Sequence, residues 1–478
     1  MSIPTQDQEK ADNTGQLNMS SFRPILRNRN FVLLWSAQLV SQIVLNAANY
    51  GVIVLVNQIT HSNVFMAGLA IIAFTLPAVP FSAIAGVLVD RQNKRRVLWT
   101  SNIFRVITMF LVVASLLVDN TNLWPLFTLS FLTSVIGQFF SPAEGASIPL
   151  LVGERELMPA LSLFNISLTV AQAIGFLLLG RVVATIFPPF TLTLGTLALH
   201  VQSIDMLFVL AGVLYAVCAL LILLIPESAF KEEHIRLRHR DDEAHAQIGQ
   251  ALSSLWSDLA SGWRIISSDR LLYFSVIQVS VASVVMLMIG ELAGAFVQTF
   301  LHRPPEDMSL ILAPAAIGLV GASIVMPRLA QRVGKLRLTT IGLLALGAGF
   351  VLLPVSHWLT LTLNPAHGIE SPLFVWLIVF LVFTLGVAMS SINIPAQTIL
   401  QERAPESSRA RVLSLQFMLY NAGSIPVLLF AGVIAQIINL SALMFIMAAV
   451  ILLFYWWGIR YVRQGEEGRG NMTLGSSH

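Results

Sequence analysis

The sequence predicts an all-helical membrane protein of twelve transmembrane helices, arranged as two pseudo-symmetric six-helix halves. Three observations carry that expectation. Charged residues make up 11% of the 478-residue chain and hydrophobic residues 56%, whereas an ordinary soluble domain is roughly 25% charged. Apolar runs near the ~20 residues that cross a bilayer core recur from end to end. Loops that follow two of these runs also echo one another, half a chain apart.

Residues 1–30 open polar (MSIPTQDQEKADNTGQLNMSS), without an apolar core and small-residue cleavage site, so they read as a cytoplasmic tail and not a cleaved signal. Apolar spans follow at 31–56, 65–89, 97–118, 124–147, 159–183 and 205–225, which together form an N-terminal half, 31–225. A charged cytoplasmic linker, 226–270, contains KEEHIRLRHRDDEAH and then QALSSLWSDLASGWRII. There Leu252, Leu255, Trp256, Leu259, Trp263 and Ile266 recur at helical spacing, as in a helix lying on the membrane surface or a packed connector. Spans at 271–300, 309–331, 339–356, 372–400, 411–438 and 441–460 form the second half, 271–460, before a cytoplasmic tail, 461–478. With the N-terminus inside, 25 of the 28 Lys and Arg fall at the inner face; Arg181 and Arg303 lie outside and Arg105 within a span. The positive-inside rule then places both termini in the cytoplasm of a cell-membrane protein.

SPAEGASIPLLVGERELMPALSLFN, after span 4, aligns with IPAQTILQERAPESSRARVLSLQFM, after span 10, with Pro142-Ala143 on Pro395-Ala396. Six plus six spans with repeated loops is the pattern of a duplicated transporter whose site lies between the halves. The loop GVLVDRQNKRRVL, 86–98, gathers Asp90, Arg91, Lys94, Arg95 and Arg96 beside an apolar span, with a poorer echo in PRLAQRVGKLRL. Its Gly86, Asp90, Arg91, Lys94 and Arg95 resemble the signature loop of the major facilitator superfamily. Asn93 replaces that family's second glycine, a residue type that tolerates left-handed backbone. SPAEGASIPLLV, LASGWRIISSDRLL and QERAPESSRARVLSL resemble the macrolide-efflux-like and siderophore-exporter-like branch. Gly175 and Gly180 in AQAIGFLLLG partly resemble the family's antiporter motif, while Ala171, Phe176 and Leu179 depart from it.

The resemblance implies alternating access and a charged latch at Gly86, Asp90, Arg91, Lys94 and Arg95. Asp90, at a helix C-terminus where the dipole is already negative, needs compensation from Arg91, Arg95 or the start of span 11 near Arg409 and Arg411. The bland alternative is a topology anchor. Polar side chains facing lipid are costly, so polar stripes mark a cavity or a helix contact. Gln38, Gln42, Asn46 and Asn49 share one face of span 1. Asn165, Thr169 and Gln172 on span 5, Gln278 on span 7 and Asn421 on span 11 complete the candidate cavity. Glu291 is a candidate proton or cation carrier, Arg105 and Glu144 a candidate ion pair, and Asp205 an N-cap. No glycine-lysine phosphate loop supports ATP hydrolysis, and His61, His200, His302, His357 and His367 have no metal-ligand spacing. No cofactor, metal, nucleic acid or enzymatic chemistry is expected. The function implied is export of an amphipathic small molecule such as a drug, macrolide or siderophore, by a monomer in the bilayer, with protons as a candidate coupling ion. Uptake, lipid flipping and a non-transporting receptor are the alternatives, and the long apolar connection at 184–204 suits a lid or lipid access.

Overall fold

The protein is described by a computed structural model covering residues 23–90, 92–175, 185–194, 197–230, 260–363, 371–405 and 409–475. Among these residues, eleven helices are long and apolar enough to cross a membrane. Spans 1 to 4 are Arg29–Ile59, Val64–Thr75 continued by Ala78–Asp90, Lys94–Val118 and Leu123–Leu151. Glu154–Ile174 stands in the place of span 5, and span 6 is Ser203–Leu223. Spans 7 to 12 are Arg270–Phe300, Ser309–Val333, Lys335–Leu363, Pro372–Arg403, Arg409–Ile437 and Leu440–Gly475.

The helices start where short polar side chains satisfy free backbone N–H groups. Asn28 accepts from Asn30 and Phe31, Asn63 from Met66, Asn122 from Trp124, and Asp269 from Leu271 and Leu272. Two expectations are corrected here. Asn93 has φ −62°, so it is not left-handed; its side chain caps span 3 by accepting from the Arg96 N–H. Asp205 is not the cap residue of span 6 but sits in its first turn, where its carboxylate accepts from the Gln202 N–H at 2.8 Å. Span 2 breaks at Pro77, which has no N–H to donate back into the helix. In the second half the turn after span 8 uses Gly334 at φ +95°, a backbone that suits glycine.

The packing repeats. Span 6 lies on spans 1 and 3, as span 12 lies on spans 7 and 9. Span 4 packs on spans 2 and 3 as span 10 packs on spans 8 and 9, and span 5 meets span 1 as span 11 meets span 7. Among the described residues the exception to the helices is a hairpin: in the apolar connection before span 6, β1 (Phe190–Leu194) pairs antiparallel with β2 (Leu197–Val201), with Phe190 opposite Val201 and Leu194 opposite Leu197. The two ends of the bundle are called below the hairpin face and the linker face.

The apolar core shows how the halves meet. Toward the hairpin face, Tyr50, Val64 and Ile71 of the first half share one buried cluster with Leu292, Phe296 and Leu428 of the second. Toward the linker face the cores are separate. Phe31, Leu98, Phe140 and Ile222 belong to one half, and Ile266, Leu272, Leu400 and Val412 to the other. The bundle is therefore joined at the hairpin face and parts toward the linker face. Ile266 ties the end of the linker into the second core, as a packed connector would; Leu252, Leu255, Trp256 and Leu259 lie outside the described residues. Phe104, Phe110, Leu220, Phe380, Val450 and Leu453 are exposed around the bundle, as expected of side chains facing lipid.

Candidate functional site

A cavity of about 110 Å³ lies between the halves beneath the joined end, lined by Ile53, Ile71 and Phe74 on one side and Met286, Gly290 and Leu312 on the other. Gln172 is the one polar side chain among its lining residues. A liquid water occupies about 30 Å³, so the space holds a few waters or the tip of an apolar molecule. The predicted stripes do not all reach it. Gln38 and Gln278 are almost fully buried at 1% exposure, and neither amide has a hydrogen-bond partner among the described residues. The Gln42 backbone carbonyl accepts from Asn46 Nδ2 at 2.7 Å. Asn46 is half-buried against Gly175, where a Cβ would lie 2.6 Å from the Asn46 Cβ, so it faces span 5. Asn49 is half-buried, and Asn421 donates to the Phe417 carbonyl at 2.8 Å. The side chains of Asn165 and Thr169 lie outside the described ones.

Arg105 is buried inside the first half. Its Nη1 donates to Ser41 Oγ at 2.8 Å, and its guanidinium stands 4.8 Å from the Phe140 ring centre and 5.4 Å from that of Tyr215. Rings at these distances attract a cation through their quadrupoles. Glu144 is buried too, with Oε1 unpartnered. The expected ion pair is not closed: among the described residues, the direct side-chain partner of Arg105 is Ser41, not Glu144. Ser41 and Tyr215, which complete this environment, were not singled out in the sequence. Their signal is the step of three from Gln38 and the lone tyrosine of span 6.

At the linker face, Arg95 donates to Glu227 at 3.0 Å and to the Leu223 carbonyl at 2.8 Å, both at the end of span 6. It is thus engaged by the end of its own half and the start of the linker. Lys94 is buried and donates to the Gln92 carbonyl at 3.2 Å. Gly86 stands in open space, where a Cβ would meet nothing. Arg91 and the side chains of Asp90, Arg409 and Arg411 lie outside the described ones. The echo loop of the second half is held in a related way: Lys335 pairs with Glu402, and Arg403 reaches Asp269 at 3.4 Å.

The seam at the hairpin face is closest where glycine faces a larger residue. Gly68 lies against the Glu291 carboxyl and Gly294 against the Asn57 amide, and a Cβ on Gly432 would lie 2.5 Å from the Phe65 Cα. Gln436 Nε2 donates to Asn63 Oδ1 at 2.8 Å, joining spans 11 and 2. Glu291 is fully buried, and neither carboxyl oxygen has a hydrogen-bond partner among the described residues. Asn57 is fully buried as well, with Oδ1 unpartnered. Sequence reasoning placed Glu291 in the outer third of span 7 but missed Asn57, which continues the Asn49 face of span 1 by two further helical steps.

Comparison with known proteins adds the following. The model of the Major Facilitator Superfamily matches residues 34–425. The chain is 23% identical over 432 residues to the Bacillus subtilis (strain 168) protein YfiS, described as an uncharacterized MFS-type transporter, covering 90% of this chain and 93% of that one. It is 26% identical over 152 residues to macrolide efflux protein A of Streptococcus pyogenes, covering 31% of this chain and 37% of that one. Among solved structures, the nucleoside transporter NupG superposes with a TM-score of 0.61 at 14% identity, over 90% of this chain and 99% of that one. A POT family transporter in complex with 5-aminolevulinic acid does so at 0.63 and 11%, over 91% and 96%. Both structural likenesses support the fold.

Proposed function

We propose, from the premise that the chain belongs to the Major Facilitator Superfamily, that this secondary transporter exports an amphipathic small molecule across the cell membrane by alternating access. The observation that carries the reading is the joint: shared packing at the hairpin face, separate cores at the linker face, and an apolar cavity with one amide, Gln172, under the joint. A site open toward the linker face, which we place in the cytoplasm with both termini, would load from inside the cell. Its apolar lining suits a compound that is mostly uncharged and partitions into the bilayer. The partial likeness to macrolide efflux protein A favours export of such a compound. Gln38, Gln278 and Asn421 are proposed to meet substrate when the halves rearrange, and the protein is proposed to work as a monomer.

Arg95 donates to the Leu223 carbonyl of its own half and to Glu227 at the start of the linker, which supports a latch whose Arg95 exchanges partners when the linker face closes. Coupling to protons is part of the proposal, with the carboxyls of the buried Glu144 and Glu291 as candidate carriers and Arg105, a permanent cation in the same half as Glu144, as a fixed charge.

The test is accumulation of a panel of dyes, macrolides and siderophores in energised cells carrying the wild type, Asp90→Asn or an empty vector, with and without a protonophore. Lower accumulation in the wild type, abolished by the protonophore and weakened by Asp90→Asn at equal expression, supports gradient-driven export. Accumulation equal to the empty vector across the panel refutes export of these classes and favours uptake or lipid transport.

A further inference from the structure

Spans 7 and 12 share one seam on the lipid-facing side of the second half. At the linker face it is a ladder of rings. Trp263 meets Tyr273 at 5.8 Å between ring centres, Tyr273 meets Tyr461 at 5.9 Å, and Tyr461 stacks on Trp457 at 5.1 Å. Two cations rest on rings here. The Arg270 guanidinium stands 5.4 Å from the Tyr461 ring centre, and that of Arg460 stands 3.6 Å from the Trp456 ring centre. Both arginines are exposed, and among the described residues neither is in an ion pair. Asp269, the neighbouring carboxylate, caps span 7 and reaches Arg403 instead. Arg270 also stands in the first turn of span 7, where the helix dipole is positive and a cation is unfavourable without an anion beside it.

Further along the same helices the seam opens into a groove of about 480 Å³, with span 11 as a third wall. Val427, Phe430, Ile446 and Val450 line it and are exposed, so it opens toward lipid. Ser280 is the one polar side chain among its lining residues, and its hydroxyl donates to the Val276 carbonyl at 2.9 Å. The ring ladder and the groove lie on one face of each helix. Arg270, Tyr273, Ile277, Val284 and Met288 recur at steps of three, four and seven along span 7, as Tyr461, Trp457, Val450 and Met447 do along span 12. At 1.5 Å per residue, the groove runs about 16 Å from Ile277 to Met288 and starts about 10 Å from Arg270. One leaflet contributes about 15 Å of the hydrocarbon core. Cluster and groove together therefore have the length of one lipid of the leaflet at the linker face.

We propose that this seam binds an anionic phospholipid of the linker-face leaflet. Its phosphate is held by Arg270 and Arg460, its glycerol lies against Tyr273 and Tyr461, and one acyl chain fills the groove between spans 7, 11 and 12. Charge and shape together choose the occupant. A guanidinium matches a phosphate in two parallel hydrogen bonds, and Trp and Tyr rings favour the headgroup level of a bilayer. A zwitterionic headgroup brings a cation of its own toward the two arginines. A soluble phosphate has nothing to place in the groove, and an uncharged apolar molecule leaves the arginines without an anion. Because Trp263 belongs to the linker, an occupied site also joins the end of the linker to spans 7 and 12. The proposal stands apart from the substrate and direction of transport.

In the experiment, the full-length protein in detergent receives equimolar phosphatidylglycerol and phosphatidylcholine with identical acyl chains, and bound lipid is counted by native mass spectrometry. An arginine at an anionic surface contributes about fivefold, so the wild type should retain phosphatidylglycerol over phosphatidylcholine by about 5- to 30-fold. Arg270→Gln with Arg460→Gln should bring that ratio close to one. Arg27→Gln with Arg29→Gln removes the same charge at the linker end of span 1 and should leave the ratio as it was. Val284→Trp fills the groove and should lower retention of both lipids several-fold. Equal retention of the two lipids by the wild type overturns the proposal. So does a preference that survives loss of Arg270 and Arg460, or one lost equally in the span 1 control, which belongs to charge in bulk. Unchanged retention in Val284→Trp overturns it as well. A measurement on the wild type stands independently of whether the variants fold: in nanodiscs, hydrogen exchange at 260–268 must slow as phosphatidylglycerol replaces phosphatidylcholine, and unchanged exchange overturns the proposal.

Discussion

Replacing Gly432 by alanine should bias the two states without harming the fold. A Cβ there lies 2.5 Å from the Phe65 Cα and 3.0 Å from its backbone N in the closed joint. Both neighbours are backbone or β-carbon atoms, so no side-chain rotation relieves the overlap, and span 11 must back away from span 2. Overpacking of this sort costs about 1–3 kcal/mol. The overlap is between the halves, so the cost falls on the closed state, and the closed-to-open ratio should drop by about 5- to 150-fold. Spin labels at Val118 and Ile437, both strongly exposed at the hairpin ends of spans 3 and 11, report the populations by double electron–electron resonance. Gly432→Ala should move weight to the longer distance while the melting temperature stays close to the parent's. Unchanged distances accompanied by a lower melting temperature would refute the reasoning, because the strain would then lie within a half.

Gly386→Ala is the matching control: its Cβ would run into the Ala315 carbonyl inside the second half, so it should lower the melting temperature and leave the label distances unchanged. Gln38→Leu and Gln278→Leu remove buried amides that have no partners; an unsatisfied buried group costs about 1–3 kcal/mol, so both should raise the melting temperature, and a fall would show that the amides are satisfied. Thr121 holds the Asp119 carboxyl below its ordinary value, first through its hydroxyl, which donates at 2.7 Å, and then through its N–H. With the folded value depressed, this turn is complete above the unfolded value and is lost as pH falls through the folded one. Thr121→Ala should therefore bring the carboxyl back up in an NMR titration, and an unmoved midpoint would exclude the hydroxyl as the main cause.

Much of the fold was legible because the membrane leaves a chain few options. Backbone groups in lipid must be satisfied internally, so each apolar run between polar turns reads as a helix, and Asn28, Asn63 and Asn122 mark three of the starts. The duplicated loops announced the repeated packing of spans 4 and 10. The β-hairpin was not read, although FTLTL and LALHV carry the alternation of strands, because an apolar connection of that length also fits a lid. Asn93 was misassigned for a related reason. The residue type tolerates two backbones, and it is the free N–H of Arg96 that selects the extended one.

The site was legible as faces and not as neighbours. Helical periodicity puts Gln38, Gln42, Asn46 and Asn49 on one stripe, but a stripe covers an arc wide enough to meet different surroundings. Gln38 is sealed without a partner, Asn46 meets Gly175 of span 5, and the cavity instead takes Gln172. The seam was harder still. Gly68 with Glu291, Gly294 with Asn57 and Gly432 with Phe65 are pairs more than two hundred residues apart. No local rule links such partners, and a glycine in an apolar span reads the same whether it faces lipid, its own half or the other half. What distinguishes them is only visible in three dimensions. Gly175 and Gly386 let helices of one half approach, so a methyl group there strains every state. Gly68 and Gly432 let the two halves approach, so a methyl group there strains one state alone. The same separation applies to the charges: Arg105 has its ring and hydroxyl partners within one half and keeps them through a rigid-body swing, whereas Glu291 lies on the moving boundary. A group on that boundary changes its surroundings when the halves move, and a change of surroundings is what a proton or a substrate needs in order to act on the equilibrium.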